Sequence, residues 1–64
     1  MAQLDKLILN ALDAQRINEA NYSFVMSKLD SYDKKMEFLN FLNKNRNVIL
    51  SKKDIFLELK EIAG

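Results

Sequence analysis

The chain holds a single glycine, Gly64, and no proline. Glycine supplies positive φ at no steric cost for primed hairpin turns and phosphate-cradling loops, and proline is the residue that stops a helix from continuing. A sequence without either in its body is free to run as helix almost throughout. It also lacks cysteine, histidine and tryptophan, and so lacks the imidazole and thiol on which most nucleophilic and transition-metal chemistry depends.

With 64 residues, one small helical domain spanning 1–64 is expected. A domain of this size buries only about 60% of the surface its unfolded chain exposes. No disulfide is available, so contact with a second surface is the remaining route to extra stability. Ten Lys and Arg against nine Asp and Glu give a net charge of +1, the balance of neither a nucleic-acid coat nor an acidic tail. Apolar runs such as Leu7-Ile8-Leu9 and Val48-Ile49-Leu50 fall far short of the roughly 18 residues of a membrane span, and no secretory leader pattern is visible. These features predict a cytoplasmic protein with no membrane partner. The preference for Asn, Lys, Ile, Phe and Tyr fits an AT-rich genome, such as that of a low-GC bacterium or its phage.

The apolar period predicts four short helices. The first covers residues 3–14, with Leu4, Leu7, Ile8, Ala11 and Leu12 as its buried stripe. The second begins at the N-cap Asn18, with Ile17 stapled onto Tyr22, and buries Tyr22, Val25, Met26 and Leu29. The third starts near Asp30 or Ser31 and runs to Lys44, ending in the Asn43-Lys44-Asn45-Arg46-Asn47 stretch because Asn tolerates a left-handed C′ position. The fourth is marked by Ser51 and Asp54 in a capping-box pattern and by Leu50 facing Ile55, with Ile55, Phe56, Leu59, Ile62 and Ala63 as its stripe. The fold class expected is all-α, a compact bundle of four short helices arranged as two helical hairpins. Residues 9–29 also lie over 39–62 with Leu9-Asn10, Leu12 and Arg16 on Leu39-Asn40, Leu42 and Arg46. A duplicated hairpin gives that likeness, and so do any two capped helical hairpins.

Two chemical patterns are weak. Asn43, Asn45, Asn47, Ser51 and Asp54 share the spacing of a calcium loop. However, neutral amides replace its carboxylates, Val48 holds the glycine position and a short Asp replaces the bidentate Glu, so neither metal nor cofactor is expected. Lys34, Lys35, Lys44, Arg46, Lys52 and Lys53 form the basic candidates for a small DNA-binding regulator, although neither the third nor the fourth helix carries a base-reading array. Catalysis needs a cleft of about 300 Å³ or more. Four short helices are not expected to enclose one, so neither an enzyme nor a small-molecule site is expected.

The strongest functional pattern is apolar excess. At 100° per residue, Leu9 lies roughly 140° from Leu4, Phe24 roughly 160° from its helix's stripe, and Leu57 roughly 160° from Ile55 to Leu59. In the third helix Met36, Phe38, Leu39, Phe41 and Leu42 spread over about 220°. Scattered exposed hydrophobes give such a pattern, since soluble proteins tolerate them, and so does a patch covered by another protein. The second reading assigns Leu9, Phe24, Phe38, Phe41 and Leu57 to a protein-binding surface. It makes the chain a non-catalytic regulatory or inhibitory protein that acts by helical contact with a protein partner or with a second copy as a homodimer.

Overall fold

The computed structural model describes residues 2–64. Its helices are α1 (Gln3–Ala14), α2 (Tyr22–Lys28), α3 (Tyr32–Lys44) and α4 (Lys52–Ala63), with one 3₁₀ turn at Glu19–Asn21 ahead of α2. No strand occurs among the described residues. The Cα radius of gyration is 10.4 Å, close to the roughly 11 Å of a close-packed chain of this length.

The caps of α3 and α4 follow local chemistry. Ser31 Oγ accepts from the Lys34 N–H at 3.2 Å, and Ser51 Oγ accepts from the Asp54 N–H at 3.1 Å. Each satisfies one of the donors that a helix start leaves open. The second helix departs from expectation. Asn18 has extended backbone, but its Oδ1 accepts from Asn21 Nδ2 at 3.0 Å instead of from a backbone N–H. The chain therefore makes a 3₁₀ turn first, and regular helix begins only at Tyr22.

Loop chemistry between the helices also differs from expectation. No asparagine after α3 is left-handed. Asn45 keeps φ at −107°, and its Nδ2 donates to the Phe41 carbonyl at 2.9 Å, closing the helix with its side chain. The one non-glycine residue with positive φ among those described is Arg16, at 65°. It ends α1 in a full Schellman pattern: the Arg16 N–H donates to Asp13 O at 2.9 Å and the Ile17 N–H to Leu12 O at 3.0 Å. Ile17 and Leu12, the two residues this motif brings together, are both buried.

This turn sets Gln15 at the C-terminal end of α1, where its side chain is buried at 4% exposure. Gln15 Nε2 donates to the carbonyls of Asn45 at 3.1 Å and Val48 at 2.8 Å, while Oε1 accepts from the Leu50 N–H at 2.8 Å. Two acceptors on one side and a donor on the other fix the orientation of the amide. The α3–α4 loop is thereby tied to the end of α1. At the other end of the same pair, Lys35 Nζ stands 2.9 Å from Asp5 Oδ1 in a half-buried ion pair, a charge contact without the alignment of a hydrogen bond.

Asp5 facing Lys35 and Gln15 facing Asn45 place α1 and α3 side by side and running the same way, each residue near the one thirty positions later. That offset is the one at which Leu9 and Leu12 align with Leu39 and Leu42 in the sequence. The two hairpins interlock: α1 packs chiefly on α3, α2 packs on α4, and α3 also packs on α4. Exact twofold duplication does not follow, because Arg16 is left-handed and Arg46 is not.

The core is Ile8, Leu12, Ile17, Val25, Leu29, Phe38, Leu39, Leu42, Ile55 and Leu59. The stripe of α1 centres on Ile8 and Leu12. It is rotated so that Leu9 turns inward to half-burial, while Leu7, expected inside, is 43% exposed.

Replacing Gln15 by Leu leaves the Val48 carbonyl and the Leu50 N–H without their partner and is expected to cost about 2–4 kcal/mol, read as a drop in the urea midpoint. Gln15→Glu sets a buried carboxyl against two carbonyls, which raises its folded-state pKa above the ordinary value of about 4.3. The folded form then holds the proton more tightly. This variant is expected to be most stable below that ordinary value and to lose stability as pH rises through the raised one. Arg16→Gly removes the left-handed strain and is expected to gain about 0.5–1 kcal/mol, partly offset by the greater freedom of unfolded glycine.

Candidate functional site

The five apolar candidates do not form one surface. Phe38 is fully buried and is the largest such side chain in the core. It points into the bundle because it lies only about 40° around α3 from the buried Leu42, between Leu42 and Phe41, so it is unavailable to a partner. Leu9 and Phe41 are half-buried and pack against the core. The Phe41 ring stacks on Phe38, with centroids 6.3 Å apart. Leu57 is 49% exposed, but its neighbours one helical turn away on α4 are Lys53, Asp54, Lys60 and Glu61, which isolate it.

Phe24 differs. It is 50% exposed on α2, and its ring meets Phe56 of α4 at a centroid distance of 6.1 Å and an angle of 60°, a tilted aromatic pair. The two rings stand at an open groove of about 680 Å³ whose walls also include Ser27, Lys28, Leu59 and Lys60. That volume exceeds the roughly 300 Å³ of a typical ligand site, but the helices do not close around it. The space is an open depression between α2 and α4, not an enclosed cavity.

Its polar groups are largely committed. Lys28 Nζ lies 5.4 Å from the centroid of the Phe24 ring, within cation–π range. Ser27 Oγ donates to the Phe24 carbonyl at 2.7 Å. Asp30 is bound to Lys34 Nζ at 2.9 Å, and that hydrogen bond, with the lysine charge, holds its carboxyl below the ordinary range. The groove thus offers aromatic surface with a cationic rim, without a hydroxyl placed against a free base. Further along α2, partial burial raises the pKa of the Tyr22 phenol, and the charges of Asp13 and Glu19 add to the rise.

The six basic candidates divide between two ends of the bundle. Lys34 and Lys35, in the first turn of α3, are paired with Asp30 and Asp5. Lys44, Arg46, Lys52 and Lys53 flank the α3–α4 loop and are exposed. The loop with calcium-like spacing puts its side chains to other use, since Asn45 closes α3 and Ser51 opens α4. No group of three or more acidic, histidine or cysteine side chains that could hold a metal occurs among the described residues. No helix among them is long and apolar enough to cross a membrane.

Periodicity assigns Phe56 to the core stripe, and it does pack against the core, but its exposed side also meets Phe24 at the groove. Its flank position on α4, about 100° from Ile55, is the only sequence trace of that role. The buried Gln15 left no trace, because a lone polar residue at a helix end reads as exposed. Comparison of the chain with protein-family models, with curated proteins and with solved structures gives no match.

Burial separates the two phenylalanines sharply. Phe38→Ala is expected to cost about 3–5 kcal/mol, whereas Phe24→Ala, which deletes a half-exposed ring, is expected to cost about 1 kcal/mol or less. Chemical denaturation of both variants checks the contrast.

Proposed function

We propose that this chain is a non-catalytic binding protein that takes an apolar helix of another protein into the groove between α2 and α4. The observation that carries the reading is Phe24. A large aromatic side chain stands half in solvent beside Phe56, at a groove that nothing among the described residues fills. Burying such a side chain is worth about 1.5–3 kcal/mol, and an aromatic anchor in a concave site is the usual centre of binding energy. The rim selects the partner's charge. Lys28 and Lys60 border the groove, and its one carboxylate side chain, Asp30, is already neutralised by Lys34, so the docking helix carries Asp or Glu at its flanks.

The same rim disfavours a twofold homodimer through this face. A twofold contact sets a patch against itself, which brings lysines toward lysines. A regulatory or inhibitory role follows for a partner whose own function uses the helix so covered. The alternative, a small DNA-binding regulator, draws on the four cations from Lys44 to Lys53, which lie apart from the groove.

Two measurements test the reading. Sedimentation from micromolar to millimolar concentration is expected to show a monomer, and a concentration-dependent dimer abolished by Phe24→Asp would overturn the choice of a heterologous partner. Titration with a designed amphipathic peptide, Leu along one face and Glu at its flanks, is expected to shift amide resonances of α2 and α4 and to lose affinity about tenfold or more with Phe24→Asp. Shifts that are insensitive to that change overturn the groove. A salt-dependent mobility shift of duplex DNA that is lost on Lys52→Glu/Lys53→Glu would favour the alternative.

A further inference from the structure

Val48 and Ile49 are adjacent in the chain and are 56% and 58% exposed, more than Phe24. A loop holding two neighbouring aliphatic residues ordinarily turns one of them inward. Here the backbone on both sides is held fast. The Val48 N–H donates to Asn45 O at 3.0 Å, Gln15 Nε2 binds the Val48 carbonyl, and Gln15 Oε1 binds the Leu50 N–H. The pair is thus held out in solvent by a buried amide from another helix. On either side of it in the chain are Lys44, Arg46, Lys52 and Lys53, all exposed and outside the ion pairs found among the described residues. Asp54 is the one carboxylate in residues 44–54. Four cations less one carboxylate leave the segment at +3, although the whole chain is +1.

We infer that the Val48-Ile49 tip is a second protein-binding element, a rigid aliphatic knob that inserts into an apolar cleft rimmed by Asp and Glu on a partner. This inference does not rest on the groove, since the tip precedes the N-terminal end of α4 and the groove reaches its C-terminal turns. Charge sets the class of partner, because unpaired cations around an apolar centre complement carboxylates around an apolar pocket. Rigidity selects protein over lipid. A knob fixed by three side-chain hydrogen bonds loses little freedom on entering a matching cleft, an advantage that a fluid interface does not reward. Two short side chains also bury less than a myristoyl chain, whose membrane binding is itself marginal. Nucleic acid leaves the aliphatic pair unexplained, since residues 43–53 contain no aromatic ring on which a base can stack.

The test pans a random peptide display library on the intact protein, sets aside as groove ligands the peptides that Phe24→Asp releases, and re-measures the rest on variants. Enriched peptides are expected to carry apolar residues flanked by Asp or Glu. They are expected to bind about tenfold or more weakly to Val48→Ser/Ile49→Ser and to Lys52→Glu/Lys53→Glu, to weaken with added salt, and to bind Phe24→Asp normally. Unchanged urea midpoints in the tip variants separate lost binding from lost fold. The inference is overturned if no acidic consensus emerges, if the peptides ignore the tip substitutions, or if Phe24→Asp releases every enriched peptide. It is also overturned if phosphatidylserine vesicles or duplex DNA bind in a manner sensitive to Val48→Ser/Ile49→Ser while peptides do not.

Discussion

The architecture turns on one buried amide. Gln15 binds three backbone groups of the segment that joins α3 to α4 and so connects residues thirty to thirty-five positions apart. Any of those groups left bare inside the protein would cost about 1–3 kcal/mol, which is large against the stability of a domain this small. The amide can reach them only because α1 ends abruptly, and α1 ends abruptly because Arg16 takes a left-handed conformation that glycine would adopt more cheaply. Local strain at one residue is thus balanced by polar satisfaction at its neighbour and by the burial of Ile17 just beyond.

From this joint follows the side-by-side arrangement of α1 and α3. With Gln15 fixed at one end and Asp5 against Lys35 at the other, the inner faces of the two helices meet in register and bury Ile8, Leu12, Phe38 and Leu42. α4 then packs on α3, and α2 on α4. Among the apolar residues left uncovered are Phe24 on α2 and the pair in the loop that the amide holds outward.

Much of the fold was legible in the sequence because it rests on short-range rules. The helical period located all four helices, the bounds of α1 were read directly, and Ser31 and Ser51 cap as their side chains dictate. The losses came from interactions with no local signature. Asn18 looked like a helix cap, but its oxygen was claimed by Asn21. The asparagines after α3 looked like left-handed stops, yet the left-handed residue is an arginine elsewhere. Of the apolar surface candidates, Phe24 and Leu57 stand exposed, whereas Phe38 is central because a wide apolar arc must turn some member inward. Angular position along one helix does not reveal which neighbours cover it. For the same reason the partnership of Phe24 with Phe56 could not be read from either helix alone.

The thirty-residue spacing between the matched positions of α1 and α3 has a consequence for how the protein comes into being. As the polypeptide leaves the ribosome, the greasy side of α1 has no counterpart until α3 has been synthesised, and the Gln15 amide has no full set of partners until Leu50 has followed. The first half of the chain therefore spends its early life with apolar surface in search of cover, a condition that favours transient guarding by other molecules.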